Sequence, residues 1–305
     1  MVIENGKAGM QPGHYTEIGQ RLKAYRLGAN LSPDLVAEKL GVSRAALYRI
    51  EAGHVVKIET LERLAHVLNT SVGSLLGIGV EYYAQAAGFF ERMRQLEAES
   101  DKIVAHFGPF SYLLMSADYT EHLREMLIEG LPHQAQGKVQ LRKDIEHCLK
   151  ILEQRRGEQA QRKPNIVNIV SLSELQRFLS LGLVGRLDLP LKMRNERVAR
   201  ARHELKRLAD LMENEPMGVQ IGVVEEMLPG VSFQVFQSGR ITKLAVSPFR
   251  LGELPNIRGG IAMVTDAPDA VGYYTKLADD LWQSAEKGAR GAVLVRKCLK
   301  KSGPD

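Results

Sequence analysis

Only two cysteines, Cys148 and Cys298, occur in 305 residues. One pair so far apart offers neither zinc-ligand spacing nor a disulfide framework, and it reads as two reduced thiols in helices or packed against them. No apolar run approaches the ~20 residues that a membrane-spanning helix needs. The opening Met1-Val-Ile-Glu-Asn-Gly-Lys-Ala-Gly9 lacks the basic-then-apolar pattern of an export signal, so the expected location is the cytoplasm. Familiar catalytic and cofactor signatures are missing too. There is no His-Glu-x-x-His zinc helix, no P-loop and no Gly-x-Gly-x-x-Gly. The expectation is a chain that is not an enzyme and carries no cofactor and no metal.

What is present is ordinary in bulk. Hydrophobic residues make up 44% and charged residues 25%, and the length suits two domains. The net charge of +5 agrees with a polyanionic partner without proving one. From His14 to Gly77, eight Lys or Arg face six Asp or Glu, a net of only +2. Any affinity for a polyanion in that segment depends on where the charges sit.

The order in that segment is distinctive. Residues 1–13 carry three Gly and a Pro and read as a disordered arm. Ile18, Leu22, Tyr25 and Leu27 mark a first amphipathic helix, ended by Gly28 and Asn30. Ser32 is a fitting N-cap, with Pro33 at the first helical position where its missing N–H costs nothing. Leu35, Val36, Ala37 and Leu40 give that second helix an inner face. Gly41 turns the chain, Val42 fills the gap, and Ser43 caps a third helix whose Leu47 and Ile50 point to the core before Gly53 closes it. Ile58, Leu61, Leu64, Ala65 and Leu68 form a fourth helix, and Val72 to Leu76 a short fifth. Helix, tight turn and helix is the layout of a helix-turn-helix.

The run Leu31-x4-Ala-x2-Leu-Gly-Val-Ser-x3-Leu-x-Arg-Ile-Glu-x-Gly53 combines with Leu61-x2-Leu-Ala-x2-Leu68 and Leu75-Leu76-Gly77. In these features the segment from Ile18 to Gly77 resembles the lambdoid repressor and Cro family, the XRE type of helix-turn-helix transcription regulators. The resemblance implies that Arg26 and Glu51 form a partly buried ion pair tying the first helix to the recognition helix. It implies that Arg44, Ala45, Tyr48 and Arg49 face the bases of double-stranded DNA, while Ala46 and Leu47 turn toward the protein. An arginine there suits a guanine edge, and Ala45 a thymine methyl. Ser32, Ser43 and Lys57 suit phosphate contacts. The family often has Gln where Pro33 stands, and proline cannot supply that anchor.

Beyond Gly79, Val80, Tyr83, Ala87, Phe90, Met93 and Leu96 recur at helical steps and predict one amphipathic helix, either a dimer seam or a strut on the next domain. Phe110–Ser116 reads as a strand, Tyr119–Glu129 and Val139–Arg156 as helices, and Gly157–Pro164 as a polar loop. Ile166–Val170 reads as a strand, with Ser171 and Glu174 a capping box opening a helix. A later helix through Val198 and Met212 has a basic outer face, read mainly as solvated. From Gly218 the period is two. Val219–Glu225, Val231–Gln237, Ile241–Ser247 and Ile261–Thr265 read as strands, and Ser238-Gly239-Arg240 as a hairpin. A helix over Ala267–Ala285 with Tyr273, Leu277, Leu281 and Trp282 inward follows, then a last strand at Ala292–Val295.

The late strand followed by Tyr273-Tyr274-x6-Leu281-Trp282-x2-Ala285 weakly resembles phospholipase-D-like sensor domains of regulators. The His-x-Lys of that hydrolase fold is absent, since His203 is followed by Glu204-Leu205, so the resemblance implies no phosphodiester hydrolysis. Gly259-Gly260 beside Arg258 reads as a strand-entry turn rather than an anion cradle. Tyr112, Arg240, Arg258, Tyr274 and Trp282 are candidates for an effector pocket.

The expected fold class is α+β multidomain: a five-helix helix-turn-helix domain over 14–78, a linking or dimerisation helix over 79–104, and an α/β sandwich over 105–305 for sensing or oligomerisation. The function expected from the resemblance is a homodimeric, ligand-responsive transcription regulator, such as a repressor, on a palindromic operator. Its partners are double-stranded DNA, a second copy and a small-molecule effector, with no membrane. Two alternatives stay open at this level: a DNA-targeted enzyme acting on nucleotides or phosphodiesters, and an architectural oligomerising DNA-binding protein.

Overall fold

The structure is a computed structural model that describes residues 12–54, 57–132, 137–162, 165–225, 228 and 230–301. The arm expected over residues 1–13 falls outside these up to residue 11, and the first helix begins at Pro12. Five helices open the chain: α1 (Pro12–Gly28), α2 (Pro33–Leu40), α3 (Arg44–Glu51), α4 (Ile58–Val67) and α5 (Val72–Leu76). Their ends follow the local chemistry. The Ser32, Ser43 and Ser71 hydroxyls accept from the backbone N–H three residues on, at 3.0–3.2 Å. Gly41 ends α2 with φ +67°, a left-handed conformation costly for a residue with a Cβ. One expectation fails in α4: Ile58 lies outward and 68% exposed.

The rest of the chain is β1 (Val80–Tyr83), α6 (Ala86–Glu99), β2 (Lys102–His106), α7 (Tyr119–Glu129), α8 (Lys138–Arg162), β3 (Asn165–Ser171), α9 (Leu172–Leu181), α10 (Leu191–Asn214), β4 (Val219–Val224), β5 (Ser232–Ser238), β6 (Ile241–Ser247), β7 (Ala262–Thr265), α11 (Pro268–Ser284), β8 (Glu286–Lys287) and α12 (Gly288–Lys301). The strands form one sheet in the order β1-β7-β6-β5-β2-β3-β4-β8. β2, β3 and β4 run parallel, and the remaining pairs are antiparallel. The whole is α+β, as expected.

Helices cover both faces of the sheet. On one face, Ile103, Ile166, Ile221, Phe236, Ala245 and Val264 join a core built with α6, α8, α9, α10 and α12. On the other, Val104, Ile169, Phe233, Val235 and Leu244 pack under Ala278 and Leu281 of α11. The first core does not stop at the five-helix unit. It runs without a break from Leu22, Val36, Leu47, Leu64 and Leu75 through Phe89, Phe90 and Met93 to Leu149, Leu205 and Val295.

The structure departs from the sequence reading in several places, each for a physical reason. The single helix expected from Val80 is a strand followed by a helix. Val80–Tyr83 pairs with β7, and α6 is buried on almost every side. Strand β2 stands eight residues before the strand expected at Phe110. Phe110–Ser116 is instead a buried loop with a short 3-10 turn at Tyr112–Leu114, following a cis bond at Gly108–Pro109. Helix α8 continues through the polar stretch read as a loop, to Arg162.

The Ser171–Glu174 capping box does not form: Ser171 Oγ bonds to Ser173 Oγ at 2.7 Å, and no side chain caps α9. Tyr273 on α11 is exposed. Ala292–Val295 belongs to α12, whose buried positions Gly291, Ala292, Val295, Cys298 and Leu299 follow a helical period. Both cysteines are buried and outside any disulfide, and burial pushes the Cys148 thiol up to about 12.

Candidate nucleic-acid interface

Helix α3 has two faces. Leu47 is fully buried and Ile50 half-buried against the core. Arg44, Ala45, Tyr48 and Arg49 are all exposed, so the four expected base readers share the outer face. Two of them interact before any DNA arrives. Arg44 Nη2 donates to the Tyr48 hydroxyl at 3.1 Å, and its guanidinium stands 5.4 Å from the ring centroid. Arg44 Nη1 lies 3.2 Å from Asp34 Oδ2 on α2. Both contacts raise the Arg44 pKa, with the Tyr48 hydrogen bond the larger cause. Asp34 is a residue that reading the sequence missed. It sits in the first turn of α2, where a carboxylate also suits the helix dipole, and nothing in the linear order ties it to Arg44.

The ion pair implied by the family resemblance is present. Arg26 Nε meets Glu51 Oε1 at 2.5 Å and Nη2 meets Oε2 at 3.1 Å, with both side chains only 6% exposed. Arg26 Nη1 also donates to the Leu31 carbonyl at 3.1 Å. One guanidinium therefore fixes the end of α1, the entry to α2 and the end of α3. Such bidentate geometry is specific to arginine.

The expected phosphate contacts are placed at helix starts on the surface. Ser32 and Ser43 are exposed; each hydroxyl uses an acceptor lone pair for capping and keeps its own O–H to donate. Exposed Lys57 holds the N-cap position of α4 without a side-chain cap.

A denser electrostatic arrangement lies on the opposite side of α1. Arg92 of α6, fully buried, meets Glu81 of β1 through Nε and Nη2, both at 2.9 Å. The Tyr83 hydroxyl donates to the same carboxylate at 2.7 Å, and burial with the Glu81 charge pushes that phenol far up. Arg92 Nη1 reaches Gln20 of α1 at 3.4 Å. Arg21 of α1 bonds the Leu75 and Leu76 carbonyls at the end of α5, and also Glu17 at 2.8 Å. Glu17 in turn meets Lys243 of β6 at 2.8 Å. Burial acts to raise the Glu17 pKa, yet Lys243 and the two arginines prevail and leave it lowered. Helix α1 is thus tied by charge to α5 on one side and to the sheet and α6 on the other.

The five residues proposed for an effector pocket do not come together. Tyr112 is buried on the α8 side of the sheet, bonded to Thr120 at 2.8 Å and stacked under Arg156. Tyr274 and Trp282 belong to α11 on the opposite face, Tyr274 packing on Phe233 and Trp282 lying 5.0 Å from Lys287 Nζ. A sheet separates Tyr112 from both. Arg240 is in the β5–β6 turn, and Arg258 in the exposed loop before β7. In that loop the Asn256 side chain accepts the Arg258 and Gly259 N–H groups at 3.2 and 2.7 Å, so a local turn occupies the donors an anion would need.

The basic face of α10 is partly consumed as well. Arg197 pairs with Glu125 and Glu129, Arg200 with Glu125, and Arg202 donates to the Leu299 carbonyl.

Compared with known families, residues 22–75 match the helix-turn-helix family. Residues 22–75 are a helix-turn-helix domain of the XRE type. The match begins within α1 and ends within α5, so it takes in Arg26, Asp34, Glu51 and the outer face of α3. The chain is accordingly a DNA-binding protein of the transcription-regulator class. Comparison with curated proteins and with solved structures returns no match for the chain. Among the described residues no helix is long and apolar enough to cross a membrane.

Proposed function

We propose that the chain is a sequence-specific transcription regulator that binds a palindromic operator as a homodimer and answers to a small molecule through the region after residue 79. The observation that carries the first half is the outer face of α3. Four exposed side chains of the types that read base edges share one face of a helix whose other face is locked to the core. Arg44 and Arg49 take guanine edges, Ala45 a thymine methyl, and Tyr48 a methyl or a phosphate. Ser32, Ser43 and Lys57 hold the backbone and set the register.

A net charge of only +2 on the reading segment supports a second copy, which doubles the phosphate contacts. The two recognition helices then sit in successive major grooves, ~34 Å apart. The size of the body beyond the helix-turn-helix supports the sensing half. We take the protein as a non-enzymatic, cytoplasmic regulator.

The test is selection of bound duplexes from a random pool at ~150 mM salt, followed by sedimentation of the complex. The expected result is an inverted repeat occupied by two chains. Binding without sequence preference would overturn the reading, and a single half-site bound by one chain would remove its homodimeric part.

A further inference from the structure

A groove of about 330 Å³ lies where the helix-turn-helix meets the body. One wall belongs to the DNA-binding domain: the end of α1 at Tyr25 and Gly28, and the segment from Leu68 to Ser74 that opens α5. The other belongs to the body: Tyr82 and Tyr83 of β1, Gln85 before α6, and Ile261 before β7. The two walls meet where α1 crosses α6 at Gly28 and Gly88. A Cβ on Gly28 would lie 2.9 Å from the Gly88 Cα, so glycine is needed for the helices to approach this closely.

Three features of the groove point to an occupant. First, Tyr25 and Tyr83 stack with centroids 4.7 Å apart and planes 9° from parallel, while Tyr82 and Ile261 stand more than half exposed at its rim. Flat apolar surface therefore runs from rim to interior. Second, the Tyr25 hydroxyl is buried among Thr70, Ser74 and Tyr83 without a well-formed hydrogen bond to any of them. Third, no lining residue is Asp, Glu, Lys, Arg or His, in a protein otherwise rich in ion pairs. The nearby Glu81 carboxylate is already taken by Arg92 and Tyr83. A charged guest would lose its water here and find no counter-charge.

We propose that this groove binds an uncharged, planar small molecule that lays an aromatic or conjugated ring along the tyrosines and hydrogen-bonds the Tyr25 hydroxyl. The proposal rests on the regulator reading above and gives it an effector site of stated chemistry. Because the walls belong to different parts of the chain, a bound molecule bridges the DNA-binding domain and the body. Its affinity then differs between any two arrangements of those parts, which is what an effector requires.

The test is isothermal calorimetry on the full chain with two probes sharing one ring system, neutral 2-naphthamide and anionic 2-naphthoate. The expected result is saturable one-to-one binding of 2-naphthamide, at least about tenfold tighter than 2-naphthoate. Tyr25→Phe keeps the ring and loses the hydroxyl, and should weaken 2-naphthamide about three- to tenfold. Ala84→Trp places an indole at an exposed lining position and should abolish binding while leaving the unfolding midpoint unchanged.

No saturable binding of 2-naphthamide, equal binding of the two probes, or unaltered binding to Ala84→Trp would each overturn the proposal. Selection of duplexes by the same preparation separates the two readings. Probe binding without DNA sequence preference would leave the groove standing and remove the regulator reading. Sequence preference without probe binding would do the reverse.

Discussion

The two sides of the helix-turn-helix domain use arginine in opposite ways. On the outer side, Arg44 and Arg49 stand in water, and the partners of Arg44, Tyr48 and Asp34, are themselves exposed. On the inner side, Arg21 and Arg92 are buried, and Glu17, Glu81, Gln20 and backbone carbonyls satisfy their donors. Exposed pairs are worth little and exchange easily, so an outer arginine can leave Asp34 for a base edge at small cost. Buried pairs tolerate no such exchange, because removing one member leaves an uncompensated charge out of water. The domain therefore has one face whose pairs exchange easily and one whose pairs do not.

Breaking the inner side should have the largest effect. Arg92→Ala strands Glu81 in the core and should cost about 3–5 kcal/mol, read as a drop in unfolding midpoint by chemical denaturation. A loss below about 1 kcal/mol would show that the seam is not held by charge.

The outer side should respond in specificity rather than stability. Arg44→Ala should cost about 1–3 kcal/mol at one base position and relax preference there, whereas Lys57→Ala should weaken every sequence alike. Binding curves on the selected duplex and its single-base variants distinguish the two, and equal losses everywhere for both would cancel the assignment.

A smaller effect on the inner side is read through pH. The Glu17 pKa is lowered in the folded protein, so its contribution is present at neutral pH and is lost as pH falls through the carboxylate range. Glu17→Gln should reduce stability at pH 7 by under about 1 kcal/mol, since the carboxylate is partly exposed. The gap to the parent chain should close below about pH 4. A gap that widens on acidification would reverse the sign of the interaction.

The smallest change sharpens the comparison most. Asp34→Asn leaves Arg44 with Tyr48 alone and removes a negative charge beside the outer face of α3. It should tighten binding about two- to fivefold at low salt, with the gain shrinking as salt rises.

The chain order made the outer side readable and the inner side almost invisible. Ser32, Pro33, Gly41 and Ser43 announce helix ends through local chemistry, and Arg26 and Glu51 sit at spacings that a family pattern preserves. Arg44, Ala45, Tyr48 and Arg49 follow from carrying the family's pattern onto the third helix by position. Nothing local marks Glu81 as an inward carboxylate, because its counter-charge is eleven residues on and its neighbouring strand is β7, nearly two hundred residues away. The same non-local pairing misled the reading of Val80–Tyr83: its apolar residues meet helical steps by coincidence, and hydrogen bonding to β7 decides the conformation. Asp34, Tyr25 and the groove were hidden for the same reason. The five expected effector residues share side-chain types that suit a pocket, and type does not reveal which side of a sheet a residue occupies.

The covalent connection between α5 and β1 is only Gly77-Ile78-Gly79, and α1 contributes to the cores on both sides of it. The DNA-binding domain thus lacks a tether and is mounted on the body. Two such bodies joined symmetrically would act as calipers, with the separation of the two recognition helices set by the whole molecule. One base pair inserted between half-sites rotates one of them by about a tenth of a turn and moves it ~3.4 Å. A flexibly linked pair absorbs that change, whereas a pair of calipers misses both grooves. The spacing of its binding sites on the chromosome would then be as much a property of this protein as the bases within them.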